Sequence, residues 1–259
     1  KVRGVGGTRN CDWWFTDEAV LLYTAGRYTT QDSHEEIDRA AWLGFLDLLK
    51  KHRKRRPING ALVAISLSDL MQQTEEERSA QALAIKQRVQ ELHEHFGIRF
   101  PIYVLFTKAD LIAGFIEFFN DMGLEARAQV WGVTFPMDDP ANPEGVVERL
   151  SAEFELLEQR LNDRLVKRLQ DERDPQRRDL IYTLPKQFGS LKQVADRFLK
   201  EAFRPSRFEE RVLVRGAYFT SGTQEGTPID RLMSSLANTF GLNRQTLSTF
   251  SGKGRSYFI

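Results

Sequence analysis

Two short apolar runs, residues 19–23 and 102–106, each break off into a polar loop. The first ends in Thr24-Ala25-Gly26-Arg27, the second in Thr107-Lys108-Ala109-Asp110. Runs of this length and composition suit strands buried in a sheet. Polar loops at the carboxyl ends of such strands are where an α/β sheet places its ligands. The two runs therefore narrow the fold to one in which strands deliver loops to a common edge.

The rest of the chain follows the same alternation. Residues 2–15 and 19–23 read as a hairpin turned at Asp17-Glu18. Ser33, followed by Glu35 and Glu36, caps a helix carrying Ile37, Ala40, Ala41, Leu43, Phe45, Leu46 and Leu49 at helical spacing. A basic run at residues 50–56 favours that helix's end, and Pro57 stops it. Residues 60–67 and 99–106 read as buried strands, 74–96 as a long charged helix and 111–122 as a short one. This order predicts an α/β fold, a mostly parallel sheet with helices on both faces.

Beyond residue 121 the pattern changes. Residues 129–135 read as extended and 146–172 as a charged helix broken at Asp174-Pro175. Further helix covers 179–203, interrupted near 185–190. A strand returns at 211–219, ends in Thr220-Ser221-Gly222, and is followed by a capped helix at 228–240. The expected organisation is one α/β domain from residues 1–136 and 209–245, a helical insertion at 137–208, and a C-terminal extension at 246–259. Lys1 in place of Met, and the abrupt end at Ile259, read as a piece cut from a longer protein.

Bulk properties exclude several classes. The 259 residues carry a net charge of +1, which gives the whole chain no pull on nucleic acid. Its single cysteine, Cys11, excludes an internal disulfide and fits a reducing compartment. The apolar stretches are strand-sized, well short of the roughly 20 residues that cross a bilayer, so the polypeptide reads as soluble. Four histidines and one cysteine assemble no Ser/His/Asp or Cys/His constellation. His93 and His95, two apart on a helix, face different sides. The aromatic clusters Trp13-Trp14-Phe15 and residues 115–119 read as core, and the basic run 50–56 as a solvated face.

The loops resemble those of a nucleotide-binding G domain, a relative of the P-loop NTPases. Thr24, Ala25 and Gly26 stand where a small residue lets a backbone N–H approach the γ-phosphate. Arg27 stands where a GTPase orients its attacking water. With five donors and no acceptor it suits developing phosphate charge, not a glutamine's role, and makes the one catalytic candidate. Thr8 is a candidate Mg²⁺ ligand of switch type. Thr107, Lys108 and Asp110 stand where the base is read. A carboxylate there accepts two hydrogen bonds from the guanine edge, and the lysine stem lies across the nucleotide. Ser221 stands in the loop that backs the base. Each loop also admits a plain reading, as a strand-to-helix turn or, for Asp110, as a helix cap. Two departures weigh against hydrolysis. No Gly-x-x-x-x-Gly-Lys-Ser/Thr precedes these loops, and Tyr23, a neutral phenol, stands where an aspartate would hold Mg²⁺ through water.

Longer strings resemble one family. Residues 5–20, with Arg9-Asn10-Cys11-Asp12-Trp13-Trp14-Phe15 at their centre, and Thr24–Ser33 resemble the cytoplasmic region of the IcmF (TssM) family of the bacterial type VI secretion system. Residues 129–135, residues 215–226 and the terminal Ser256-Tyr257-Phe258 extend the likeness over nearly the whole chain. The resemblance implies a larger inner-membrane protein with this region facing the cytoplasm and a periplasmic C-terminal region. It implies a scaffold that binds TssL, baseplate components and other copies of the same protein, and that meets TssJ through the periplasmic region. It implies no nucleic-acid partner. Family members commonly carry a P-loop upstream of the residue matching Lys1 and an aspartate where Tyr23 stands, so GTP or ATP with Mg²⁺ is the implied ligand of the intact protein. The other reading is an active GTPase or ATPase that energises secretion or assembly.

Overall fold

The apolar runs near residues 60 and 100 pair as neighbouring strands in a computed structural model, which describes residues 11–24, 35–136, 146–204, 211–222, 225–226, 250–251 and 256–258. Strands β3 (Ala61–Ser66) and β4 (Pro101–Thr107) are parallel, with Val63 beside Val104 and Ile65 beside Phe106. Strand β6 (Leu213–Phe219) lies parallel on the other side of β4, and β5 (Trp131–Thr134) closes the sheet antiparallel to β6. The order is β3-β4-β6-β5. The fold is mixed α/β with a mostly parallel sheet. Strands β1 (Cys11–Phe15) and β2 (Val20–Thr24) form the expected hairpin as a sheet of their own. The short strands β7 (Glu225–Gly226) and β8 (Phe250–Ser251) pair with each other.

The first long helix, α1 (Glu35–His52), ends in the basic residues Lys50, Lys51 and His52, which suit the negative end of its dipole. The helix α2 (Leu67–Gln72) follows β3 directly, capped by Ser66. The helix α3 (Glu75–Phe96) starts at a capping box: Thr74 accepts from the Glu77 amide and Glu77 accepts from the Thr74 amide. It ends at Gly97 in the left-handed conformation, φ 62°. The short helix α4 (Phe115–Phe119) lies within the stretch 111–122 expected as one helix, and α5 (Leu124–Arg127) follows beyond it. The helical segment comprises α6 (Leu150–Asp171), α7 (Pro175–Gly189) and α8 (Lys192–Phe203). Its break falls at Ser190-Leu191, after Pro185, which lies inside α7.

These three helices share one core with the sheet. Ile102, Val104 and Phe106 of β4 and Val214, Ala217 and Phe219 of β6 pack with Phe154, Leu157, Ile181, Leu184, Phe188, Phe198 and Leu199. Trp131 is an aromatic hub, its ring 4.9 Å from Phe188, 5.1 Å from Phe219 and 5.4 Å from Phe258 between centroids. Such spacings suit tilted and edge-to-face aromatic contacts. The cluster of phenylalanines at residues 115–119 lies in this core, as expected. A smaller cluster joins Trp42, Leu46 and Leu49 of α1 to Phe96, with Leu22 of the hairpin against it.

Two expectations change. The helices were expected on both faces of the sheet. The described ones gather on one, and the alternate face, with Leu62, Tyr103, Leu105 and Tyr218, is exposed or half-buried. The helix expected at 228–240 lies outside the described residues. The hairpin aromatics were expected in the core. Instead Trp13 is 52% and Phe15 76% exposed. The hairpin forms a two-stranded sheet apart from the four-stranded one, and two strands alone cannot bury a face.

Candidate functional site

Parallel strands deliver their loops to one edge, and three of them meet here. The chain leaves β4 through Thr107 and enters a 3₁₀ turn at Ala109–Leu111. The end of β6 runs beside it. The Thr220 amide donates to the Phe106 carbonyl at 2.8 Å, and the Ala109 amide donates to the Thr220 carbonyl at 3.0 Å. These two bonds fix the Thr107–Asp110 loop against Thr220-Ser221. The end of β3 contributes from the other side, where the Thr107 hydroxyl donates to the Ile65 carbonyl at 3.4 Å.

Lys108 sits in the left-handed region, φ 61° and ψ 34°. A non-glycine residue there stores backbone strain that the surrounding structure must hold, a feature that clusters at ligand sites. Its ammonium lies 3.4 Å from Asp69 of α2. Both groups are partly exposed, so the pair contributes at most about 1 kcal/mol and the lysine is free to change partners.

Asp110 is the chemically distinctive group. It is 5% exposed, and Ser221 is 2% exposed. Burial pushes the Asp110 carboxyl up to about 6, against the opposing pull of its own backbone amide, the Ser221 hydroxyl and the Lys108 ammonium. The hydroxyl is close enough to favour the charged form. Even so, Asp110 Oδ1 and Ser221 Oγ have no hydrogen-bond partner of good geometry among the described residues. Two buried polar atoms without partners make a place where a ligand's N–H groups gain more than they would in water.

The chain's last described residues complete the wall. Ser221 and Tyr257 form an antiparallel bridge, exchanging backbone bonds of 2.9 and 3.2 Å. The Phe258 amide donates to the Arg127 carbonyl at 2.6 Å, and the Arg127 guanidinium lies 5.6 Å from the centre of the Tyr257 ring. An apolar groove of about 400 Å³ opens on the uncovered sheet face, lined by residues including Tyr103, Leu105, Trp131, Tyr218 and Phe258.

The structure thus brings together Thr107, Lys108, Asp110 and Ser221. Thr24 ends β2 in the hairpin, outside this constellation, and neighbouring Tyr23 is exposed. Thr8, Ala25, Gly26 and Arg27 lie outside the described residues. Asp69, Tyr257 and Arg127 are site neighbours that the sequence reading did not single out. Asp69 carried one usable signal, its place three residues after Ser66 at the start of a helix; Tyr257 carried only its part in the family-like string.

The donor set fits the base end of a nucleotide. Asp110 supplies a buried acceptor for ring N–H groups, Ser221 a hydroxyl, and Lys108 a long apolar stem with a cationic tip. The described residues supply no phosphate cradle of Gly-x-x-x-x-Gly-Lys-Ser/Thr type, and among them no group of three or more His, Cys, Asp or Glu could hold a metal ion. No helix among them is long and apolar enough to cross a membrane.

Residues 35–259 match the family described as IcmF-related N-terminal domain. The chain is 62% identical over 258 residues to the type VI secretion system component TssM1 of Pseudomonas aeruginosa, an overlap that takes in 100% of this chain and 23% of that protein. The chain therefore spans about a quarter of the length of the curated relative it matches. No solved structure matches it.

Proposed function

The chain belongs to the family of the IcmF-related N-terminal domain, and on that premise we propose that it is the cytoplasm-facing part of a type VI secretion scaffold in the inner membrane. In this reading it is G-domain-like. It holds TssL and baseplate components on the cytoplasmic side and meets further copies of the same protein, while contact with TssJ belongs to the periplasmic region. The observation that carries the scaffold is the 62% identity to a type VI secretion component across the whole chain. The observation that supports a nucleotide is the buried Asp110 carboxylate, whose Oδ1 has no hydrogen-bond partner among the described residues, beside Ser221 at the carboxyl ends of β4 and β6.

The division of labour follows from the residues. Thr107, Lys108, Asp110 and Ser221 would hold the base of GTP or ATP. When bound, the nucleotide with Mg²⁺ would supply a phosphate charge that reaches loops near Thr8 and Gly26 and biases their conformation. Tyr23 cannot hold the metal's water as a carboxylate does. Nucleotide is therefore a regulator of assembly in this reading, not its energy source.

Two measurements test it in the full-length protein. Calorimetric titration with GTP and with ATP, each with Mg²⁺, should show binding that weakens on Asp110→Ala. Capture of TssL should proceed without added GTP. A strict requirement for GTP in that capture would overturn the scaffold-first reading.

A further inference from the structure

Three polar groups of the base-reading end are buried and lack hydrogen-bond partners: Asp110 Oδ1, Ser221 Oγ and the Tyr257 hydroxyl. Two of them belong to the proposed base site. The third is carried by Tyr257, which is 1% exposed.

The backbone fixes where Tyr257 stands. Ser221 and Tyr257 exchange both N–H···O bonds, so they are directly opposite residues of an antiparallel pair. Side chains of such a pair project to the same side, with β-carbons about 5 Å apart. The Ser221 hydroxyl faces the Asp110 carboxyl closely enough to alter its acidity. The Tyr257 side chain therefore projects to the same side of the pair as the Ser221 hydroxyl. Its placement is secured by Phe115, whose ring meets it edge-on at 5.8 Å, and by the neighbouring Phe258 amide bound to Arg127. The Arg127 guanidinium lies 5.6 Å from the ring centre, a cation–π contact that holds the ring in place.

An orphaned hydroxyl in such a place costs stability, and a phenylalanine would fill the same space without that cost. A tyrosine that only packed would gain nothing from its oxygen. We propose that Tyr257 is a third base-reading residue, its hydroxyl bonding the polar edge of a purine nucleotide held by Asp110 and Ser221. The segment Ser256–Phe258 then belongs to the binding site, not to a tail leading away from it. This inference rests on the base-reading proposal above.

The test uses full-length protein, fluorescent GTP and ATP analogues, and the substitutions Tyr257→Phe and Asp110→Asn. Tyr257→Phe should weaken GTP binding about five- to tenfold, the worth of one hydrogen bond. Its melting temperature should be unchanged or raised, since the ring stays and an unpaired hydroxyl is removed. Unchanged affinity overturns the inference, as does a loss of affinity matched by a fall in melting temperature. If the unsubstituted protein binds and Asp110→Asn does not, while Tyr257→Phe binds normally, the base reading stands and the role of Tyr257 falls. If the unsubstituted protein binds neither nucleotide, both fall together.

Discussion

Burial raises the Asp110 carboxyl to about 6 from its ordinary 3.8. The folded chain therefore keeps this proton at pH values where the unfolded chain has released it. Between those values the folded state binds more protons, so the contribution of Asp110 to stability falls as pH rises through that window and is lost above it. Lys108 and the Ser221 hydroxyl oppose the shift, and neither removes the burial cost. Asp110→Asn should flatten the dependence: near pH 4 the variant and the parent melt together, and near pH 7 the variant melts higher. Thermal melts across that range check it, and a parent that loses nothing relative to the variant between pH 4 and 7 would refute the assignment. The same substitution should weaken nucleotide binding, because the amide replaces one of the carboxylate's two acceptor oxygens with an N–H donor. Stability sacrificed at a position that gains its partner on binding is what a site residue shows. The sequence put Asp110 in a Thr-Lys-x-Asp loop after an apolar run, and that loop does follow β4. It could not show that the carboxyl is buried, because that depends on Ser221 and the end of β6, more than 100 positions away.

Elements were legible where their signals are local. The charged helix read at 74–96 is α3, and the capping box Thr74/Glu77 and Gly97 close it at both ends, since caps act within one turn. The interruption expected near residues 185–190 comes at the far end of that range, not at Pro185 itself. The proline removes one backbone donor, yet α7 continues through it to Gly189, and the turn comes at Ser190, whose hydroxyl donates to the Gln187 carbonyl. Pairings between elements were not legible. That α4 lies against α7 depends on Gly114 at φ 85°, where an added β-carbon would sit 2.2 Å from the Leu180 carbonyl oxygen. Gly114→Ala combines a disfavoured backbone with a clash against backbone, which does not yield as a side chain would. It should cost about 3 kcal/mol or more, read as a fall in the denaturation midpoint. A variant within 0.5 kcal/mol of the parent, about the effect of an ordinary surface change, would show that the two helices are not held this closely. Arg168 is a second long-range device. Buried at the end of α6, it donates to the Phe118 carbonyl at 2.8 Å and the Glu117 carbonyl at 3.0 Å, satisfying carbonyls that the short α4 leaves open.

At the scale of the whole molecule, alternating strands and helices predicted the α/β class and the loop-bearing edge, but not which surfaces stay open. Two apolar surfaces are open among the described residues. One is the hairpin, with Trp13, Trp14, Phe15, Leu21 and Tyr23 exposed; the other is the sheet face around Leu62, 57% exposed. Sequence patterns reported both as core because apolar periodicity records that a residue will be covered, not by what. Scattered apolar side chains on a surface need no explanation, but contiguous ones mark sites of association. The chain spans about a quarter of its curated relative's length, and in a protein of that length further segments or partners would be the natural cover for such surfaces. Among the described residues nothing covers them, so the residues concerned contribute little to the described fold by themselves. Phe15→Ser and Leu62→Lys in the 259-residue chain should each leave the melting temperature within a few degrees of the parent. Each should also reduce self-association measured by light scattering, because the removed side chain is presented to solvent. In the full-length protein the same substitutions should lower the melting temperature or weaken capture of partners. A large loss of melting temperature already in the 259-residue chain would show that these side chains are internal supports, and that the surfaces are not built for association.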